Sequence, residues 1–208
     1  MSYIQQLESN KLIAIMRGVD PDDAISIFHS LKKGGIKAFE ITLDSPKAYE
    51  IIEKLSIETG DDVLIGAGTV LAPESARTAI YHGANFIISP TLNLETIKIT
   101  KRHGGLSIPG CLTPTEILTA YENGADMVKV FPAGSVGASY FKDLSGPLPC
   151  IPLIATGGIN ADNIQTYIQS GVAAVGLGSS LVPKKISEHN DIAELTKKAS
   201  QLINLIQN

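Results

Sequence analysis

One pattern recurs along this chain and limits its fold: an apolar run, a turn, an amphipathic stretch, and a glycine just before the next apolar run. The glycines lie in LKKGGIKAFE, ETGDDVLIG, YHGANFIIS, KRHGGLSIPG, ENGADMVKV and IQSGVAAVGL. Each fits the left-handed position that ends a helix. Successive units are roughly 20–25 residues long, which leaves little room for insertions. The chain is therefore predicted to alternate strands and helices.

The predicted strands number eight. They are LIAIMR (12–17), KAFEIT (37–42), VLIGAG (63–68), NFIIS (85–89), LSIPG (106–110), MVKVF (127–131), IPLIATG (151–157) and VAAVGLG (172–178). Strict alternation with helices predicts a parallel sheet, and eight units predict a (β/α)8 TIM barrel. A doubly wound sheet is the alternative, but the first strand-to-helix turn lacks GxGxxG. Residues 2–9 are predicted to form a short N-terminal helix, and the apolar spacing of 192–206 predicts a last helix.

Length and charge narrow the class of protein. The 208 residues show no shift in composition, so residues 1–208 are expected to form a single domain. A formal net charge of −4 and a pI near 5.6 argue against nucleic acid or an anionic membrane as the main partner. The N-terminus has no signal-peptide core, and no apolar run is long enough to span a membrane. Cys111 and Cys150 lack metal spacing, which predicts free packing thiols in a reducing cytoplasm.

Polar residues concentrate at the carboxyl ends of the predicted strands, where TIM barrels place their reacting groups. The opposite ends carry no comparable set. The residues at the carboxyl ends are Arg17, Glu40, Thr42, Asp44, Thr69, Ser89, Pro90, Lys129, Thr156, Gly157, Gly158, Gly178, Ser179 and Ser180. This asymmetry predicts a functional site at that face of the barrel.

Lys129 lies in the middle of the apolar strand DMVKVFP. Alternation puts it on one face with Met127 and Phe131, where no carboxylate accompanies it. Burial disfavours a lone ammonium, and a neutral amine is a nucleophile toward carbonyls. These residues fit either such a nucleophile or a strand-end lysine whose charge reaches solvent.

Glu40 is predicted to point into the barrel. It shares one face of its strand with Ala38 and Thr42, whereas the bulky Phe39 and Ile41 occupy the face that suits the outer helices. An inward carboxylate and an inward lysine fit a structural ion pair. They also fit a proton-transfer couple in which the amine is the nucleophile and the carboxylate the general acid/base.

Two glycine-rich loops, ATGGIN and GLGSS, follow strands seven and eight. Their backbone amides can approach a ligand, and Asn160 is predicted to begin a helix whose N-terminus carries partial positive charge. A phosphate or carboxylate is expected here, although glycines also serve tight turns alone. The four histidines, His29, His82, His103 and His189, fall on predicted helices or helix ends, so neither a metal nor another cofactor is implied.

Eight segments, in order over residues 10–182, resemble the class I aldolases that cleave 2-keto-3-deoxy-6-phosphogluconate (KDPG) and 4-hydroxy-2-oxoglutarate (KHG). They are LIAIMRG, EITLDSP, IGAGTVL, IISPT, PGCLTPTE, DMVKVFPA, ATGGI and GLGSSL. The resemblance implies a compact TIM barrel that acts as a homotrimer on a small keto acid.

The resemblance also implies roles for individual residues. It makes Lys129 the Schiff-base lysine and Glu40 the general acid/base. The pyruvate end of the substrate would be lined by Thr69, Pro90 and Phe131. The phosphate end would be held by the two glycine loops, through Gly157, Gly158, Gly178 and Ser179.

Asp44 departs from the family pattern. Many members carry an arginine there that helps to bind the pyruvate carboxylate, whereas an aspartate is expected to repel an anion. Arg17 offers a bidentate fork that suits a carboxylate, and we expect it to anchor the substrate instead. Some relatives that act on the galactonate epimer (KDPGal) share this arrangement. The preferred acid among KDPG, KDPGal and KHG therefore stays open.

Two other functions fit parts of the sequence. A phosphate-binding TIM-barrel isomerase or synthase would use the same glycine loops, but it would leave Lys129 unexplained. A non-catalytic ligand-binding barrel would have no need of the Lys129 and Glu40 couple.

Overall fold

The structure, a computed structural model, describes residues 1–186 and 189–207. Within them nine strands form one sheet in which all recorded pairings are parallel, in the order β5-β4-β3-β2-β1-β9-β8-β7-β6. The strands are β1 (Leu12–Met16), β2 (Ala38–Thr42), β3 (Leu64–Gly68), β4 (Phe86–Ile88), β5 (Leu106–Ile108), β6 (Gly110–Cys111), β7 (Val128–Val130), β8 (Leu153–Thr156) and β9 (Ala174–Leu177).

Helices follow the strands around the outside. They are α1 (Tyr3–Asn10), α2 (Pro21–Lys33), α3 (Ala48–Thr59), α4 (Pro73–Tyr81), α5 (Leu94–Arg102), α6 (Pro114–Glu122), α7 (Ala133–Val136), α8 (Ala138–Ser145), α9 (Ile164–Gln169) and α10 (His189–Gln207), with a 3-10 turn at Gly60–Asp62. The predicted α/β barrel with a short N-terminal helix is confirmed. None of the helices in the described ranges is long and apolar enough to cross a membrane.

The predicted fifth strand is divided at Pro109 into β5 and β6. Proline has no N–H to donate to a sheet ladder, and the two halves pair with different neighbours, β5 with β4 and β6 with β7. Gly110 lies so close to the backbone of Pro90 that a Cβ atom would overlap it. The sheet is therefore a nearly closed barrel whose remaining gap lies between two halves of one strand.

An apolar core fills the amino-terminal half of the barrel interior. Its side chains come from alternate strand positions: Ile13, Ala38, Leu64, Phe86, Ile88, Ile108, Met127, Ile154 and Ala174. Leu7 joins this cluster from α1, which packs against β1, β3 and β9 and closes the amino-terminal end. Phe39 and Ile41 belong to the second core, outside the barrel, as their strand pattern predicts. The polar face is thus confined to the opposite end.

Two local expectations are wrong. Asn160 does not begin a helix, because its N–H donates to Asn163 Oδ1 (2.9 Å) within a turn and α9 starts only at Ile164. Cys150 is exposed, whereas Cys111 is buried as expected. Burial and, to a smaller extent, the charge of Glu116 raise the pKa of the Cys111 thiol to about 12.

Candidate active site

A cavity of about 580 Å³ opens at the carboxyl ends of the strands. It is lined by Lys129 and by each predicted substrate-binding residue: Arg17, Thr69, Pro90, Phe131, Gly157, Gly158, Gly178 and Ser179. Glu40 does not form part of the wall, but it pairs in register with Ile15, which does. The structure therefore brings the predicted residues to one place. Within the described ranges, no three His, Cys, Asp or Glu side chains are grouped so as to hold a metal ion.

Lys129 lies inside the barrel on β7 and is only 3% exposed. Its Nζ atom is 4.9 Å from the centroid of the Phe131 ring, within the range of a cation–π contact. The ring also lies close to Gly157, where a Cβ atom would come within 3.2 Å of it. The lysine is therefore an enclosed amine that faces the cavity, and it does not reach bulk solvent as a strand-end lysine would.

Glu40 is 1% exposed, and its Oε1 atom is buried without a hydrogen-bond partner among the described residues. The ion pairs recorded among the described residues do not join it to Lys129, so the two groups are not in direct contact within 4.0 Å. Burial raises the pKa of Glu40, while the charges of Lys129 and Arg17 oppose that rise. A buried, unpartnered carboxyl oxygen is uncommon in proteins. Here it leaves a proton donor or acceptor available beside the amine.

Gly68 makes the room that Glu40 occupies. The two residues lie on adjacent strands, and a Cβ atom at Gly68 would overlap the Oε1, Cδ and Cγ atoms of Glu40. Gly176 makes room for Thr156 in the same way, because a Cβ atom at Gly176 would lie 2.8 Å from Thr156 Oγ1. A side chain at either glycine would overlap the neighbouring side chain, so both positions need a residue without a Cβ atom. Their role at the site is thus steric.

Arg17 is held by two side chains at the mouth of the cavity. Its Nη1 donates to Asp44 Oδ2 (2.8 Å) and its Nη2 donates to Thr69 Oγ1 (2.7 Å). Thr69 has a φ of 54°, which is unusual for a β-branched residue and typical of functional sites. The expectation that Asp44 only repels an anion is incomplete, because its charge is paired with Arg17. A guanidinium has five N–H donors, so this clamp leaves others for a ligand.

The loops after β8 and β9 form the other end of the cavity. Gly157 and Gly158 have φ values of 93° and 78°, a conformation that favours glycine. Within the described part of the chain, no acceptor is recorded for the N–H groups of Gly158, Ile159, Ser179 and Ser180. Successive unpaired amides in such a concavity bind anions. An anion bound here would therefore be held by backbone amides and not by a helix N-terminus.

Sequence reasoning missed one charged residue of this cavity. Lys184 lines it together with Asn160 and Ser180. It lies beyond the end of β9 in the segment LVPKK, where neither the strand period nor a motif marks it. A pair of consecutive lysines after an apolar stretch was the available signal, and it is a weak one.

The fold and the cavity define a class of protein: a barrel whose cavity encloses a lysine amine, with a buried carboxyl in the same interior and a guanidinium and backbone amides around the cavity, as imine chemistry on an anionic keto acid would require. Comparison with known proteins agrees. The chain matches the family model of KDPG and KHG aldolases over residues 4–198. The chain therefore belongs to the KDPG and KHG aldolase family.

Individual relatives are similar over most of their length. The 2-dehydro-3-deoxy-6-phosphogalactonate aldolase of Escherichia coli (strain K12) is 40% identical over 171 residues, which are 82% of this chain and 83% of the relative. A solved native KDPGal structure is 36% identical over 94% of both chains, with a TM-score of 0.88. KDPG aldolase from Legionella pneumophila, solved with pyruvate captured at low pH as a covalent carbinolamine intermediate, is 31% identical with a TM-score of 0.81; the match covers 99% of this chain and 97% of that one.

A Gly68→Ala substitution tests whether the space above Gly68 positions Glu40. The added methyl group displaces the carboxyl, so we expect kcat for pyruvate release to fall by about 10²–10⁴, the range for loss of a general acid/base. Gly146→Ala is the matched control, because a Cβ atom there meets only the Asp143 carbonyl oxygen, at 3.8 Å. Circular dichroism confirms that both variants fold. A folded Gly68→Ala enzyme with wild-type kcat would contradict the assignment.

Proposed function

We propose that this chain is a class I aldolase that cleaves a 2-keto-3-deoxy-6-phospho sugar acid into pyruvate and glyceraldehyde 3-phosphate. The observation that carries the proposal is the enclosed amine of Lys129 in the cavity, with the unpartnered carboxyl of Glu40 in the same interior. The carbinolamine captured in the Legionella relative supports it.

The reaction begins when the lone pair of the Lys129 amine attacks the C2 ketone of the substrate. The resulting carbinolamine loses water and becomes a protonated imine. Glu40 transfers protons during this dehydration, because burial raises the pKa of its carboxyl above the ordinary value and so favours a group that can give up and take back a proton. The ring of Phe131 lies beside the amine during this step, with its centroid 4.9 Å from Nζ.

Bond cleavage follows from the same two groups. Glu40 takes the proton of the C4 hydroxyl, the C3–C4 bond breaks, and its electron pair moves into the protonated imine to give an enamine. The aldehyde leaves, C3 is protonated, and hydrolysis of the imine releases pyruvate and regenerates Lys129. The positive nitrogen is the electron sink, so no metal or other cofactor is needed.

The two ends of the substrate are assigned by charge. Arg17, oriented by Asp44 and Thr69, binds the carboxylate, and the amides of the loops after β8 and β9 bind the phosphate. We propose KDPGal as the preferred acid, because the 40% identical relative acts on that epimer and this chain lacks an arginine at position 44. We also propose that the enzyme is a homotrimer and that it is located in the cytoplasm.

Borohydride trapping tests the mechanism. Reduction in the presence of pyruvate is expected to leave an adduct on the peptide that contains Lys129, because reduction makes the imine irreversible. Lys129→Met should abolish the adduct, and Lys142→Met, a change at an exposed lysine of α8, should leave it intact. Turnover of the three acids is then compared, with kcat/KM expected to be highest for KDPGal. An adduct on a different lysine, or none, would refute the mechanism.

The Arg17 clamp generates a separate prediction. Loss of a charged hydrogen-bonding group by Arg17→Ala should raise KM for the keto acid by about tenfold or more. Asp44→Ala should raise it by less, because the guanidinium loses its orientation but keeps its charge. Lys98→Ala, which breaks an exposed ion pair with Glu95 on α5, is the control. A lower KM for Asp44→Ala would show that the aspartate repels substrate and does not orient Arg17.

A further inference from the structure

We infer that Lys184 is a specificity-determining residue whose ammonium group binds the substrate phosphate and sets a preference for phosphorylated over unphosphorylated acids. The inference rests on the proposed function and adds a side-chain charge to the amide-lined anion site. Lys184 lines the same cavity as the Gly158 and Ser179 loops. Lysine binds phosphate as a point charge, without the fixed geometry that arginine demands.

The segment that carries Lys184 is fixed on both sides. Before it, the N–H groups of Leu181 and Val182 donate to the Gly178 carbonyl (2.9 and 2.8 Å) and close a turn directly after the anion loop. At Lys184 itself, the carbonyl accepts a hydrogen bond from the Asp20 N–H (2.7 Å). Two residues later, the Ile186 N–H donates to Asp23 Oδ2 (3.0 Å). The backbone is therefore held against the start of α2, which limits where the lysine side chain can reach.

Gly18 gives the side chain its path to the cavity. The Cε atom of Lys184 is 3.8 Å from the position that a Cβ atom on Gly18 would take. Gly18 has a φ of 60°, and its N–H is fixed by Ser45 Oγ at 2.8 Å. The alkyl stem thus passes the Gly18 position in the loop after β1, and Lys184 is among the residues that line the cavity.

The surrounding charges leave Lys184 available for a ligand. The neighbouring carboxylate of Asp20 has its ion-pair contact with Lys185, at 4.0 Å, while no ion pair of Lys184 is recorded among the described residues. Among the described residues, those that line the cavity include three with basic side chains, Arg17, Lys129 and Lys184, and none with a carboxylate. Arg17 is already paired with Asp44. Lys184 is therefore the cation at the glycine-loop end that lacks a recorded counterion.

The ammonium group of Lys184 affects selectivity between phosphorylated and unphosphorylated substrates. The backbone amides of the loops supply directional hydrogen bonds but no net charge, and they can bind a neutral hydroxyl as well as a phosphate. A nearby ammonium discriminates, because its attraction requires charge on the ligand. Removal of Lys184 should therefore weaken binding of the phosphorylated acid and leave binding of the unphosphorylated acid unchanged.

The experiment compares Lys184→Met, which keeps most of the alkyl stem, with Lys185→Met, the adjacent lysine that does not line the cavity. For the phosphorylated acid, Lys184→Met should raise KM about tenfold, the loss expected for one charged hydrogen bond, with kcat within about twofold. KM for the corresponding unphosphorylated acid should not change, and Lys185→Met should match the wild type with both. An equal loss for both acids, or no loss for either, would overturn the inference.

Calorimetric titration with inorganic phosphate separates this inference from the proposed function. The Kd of phosphate should rise about tenfold in Lys184→Met and stay constant in Lys185→Met, whether or not the enzyme turns over a sugar acid. Failure of pyruvate trapping together with a Lys184-dependent phosphate Kd would refute the aldolase mechanism alone. Equal phosphate affinity in wild type and Lys184→Met, or no phosphate binding by the wild type, would refute the role of Lys184.

Discussion

The site depends on one electrostatic constraint: a carboxyl group and an amine are both buried inside a barrel without neutralising each other by direct contact. Glu40 and Lys129 are almost fully enclosed, and Glu40 Oε1 has no hydrogen-bond partner. A closed ion pair would satisfy both groups, but it would also occupy the amine that must attack a ketone. Keeping them apart preserves a nucleophile and a proton carrier, at a cost in folding stability that the rest of the barrel offsets.

The apolar half of the barrel makes this arrangement tolerable. Leu7 and the inward side chains of the strand starts form a continuous hydrocarbon core beneath the site. Above that core, glycines replace side chains where space is needed, as Gly68 does for Glu40 and Gly157 does for the Phe131 ring. The reacting groups are thus positioned by rigid strands, and the cavity is shaped as much by missing Cβ atoms as by the side chains that line it.

Much of this was predictable from local sequence. The two-residue period of a strand was enough to turn Glu40 and Lys129 inward, and the glycines before each apolar run revealed the repeated strand–helix unit. The division of the fifth strand at Pro109 is visible only in the structure. The sequence alone does not predict it, because a proline is also tolerated at strand ends. Contacts between distant loops were beyond sequence reasoning. Neither the pairing of Asp44 with Arg17 nor the approach of Lys184 to Gly18 leaves a periodic signal.

Glu40 is held as a buried carboxyl and not as half of a stabilising ion pair. Its pKa in the folded state lies above the ordinary value of 4.5, so the folded protein retains a proton that the unfolded chain releases. The contribution of Glu40 to the stability of the fold therefore falls as pH rises from 4.5 through its raised pKa. The most direct measurement is the free energy of unfolding against pH for wild type, Glu40→Gln and the exposed control Glu50→Gln. We expect Glu40→Gln to gain stability over wild type as pH rises from below 4.5 through the raised pKa of Glu40, and Glu50→Gln, at an exposed position of α3, measures the effect of the same chemical change at the surface. A Glu40→Gln variant that loses stability over the same range would show that Glu40 and Lys129 form a structural ion pair, and would contradict the account.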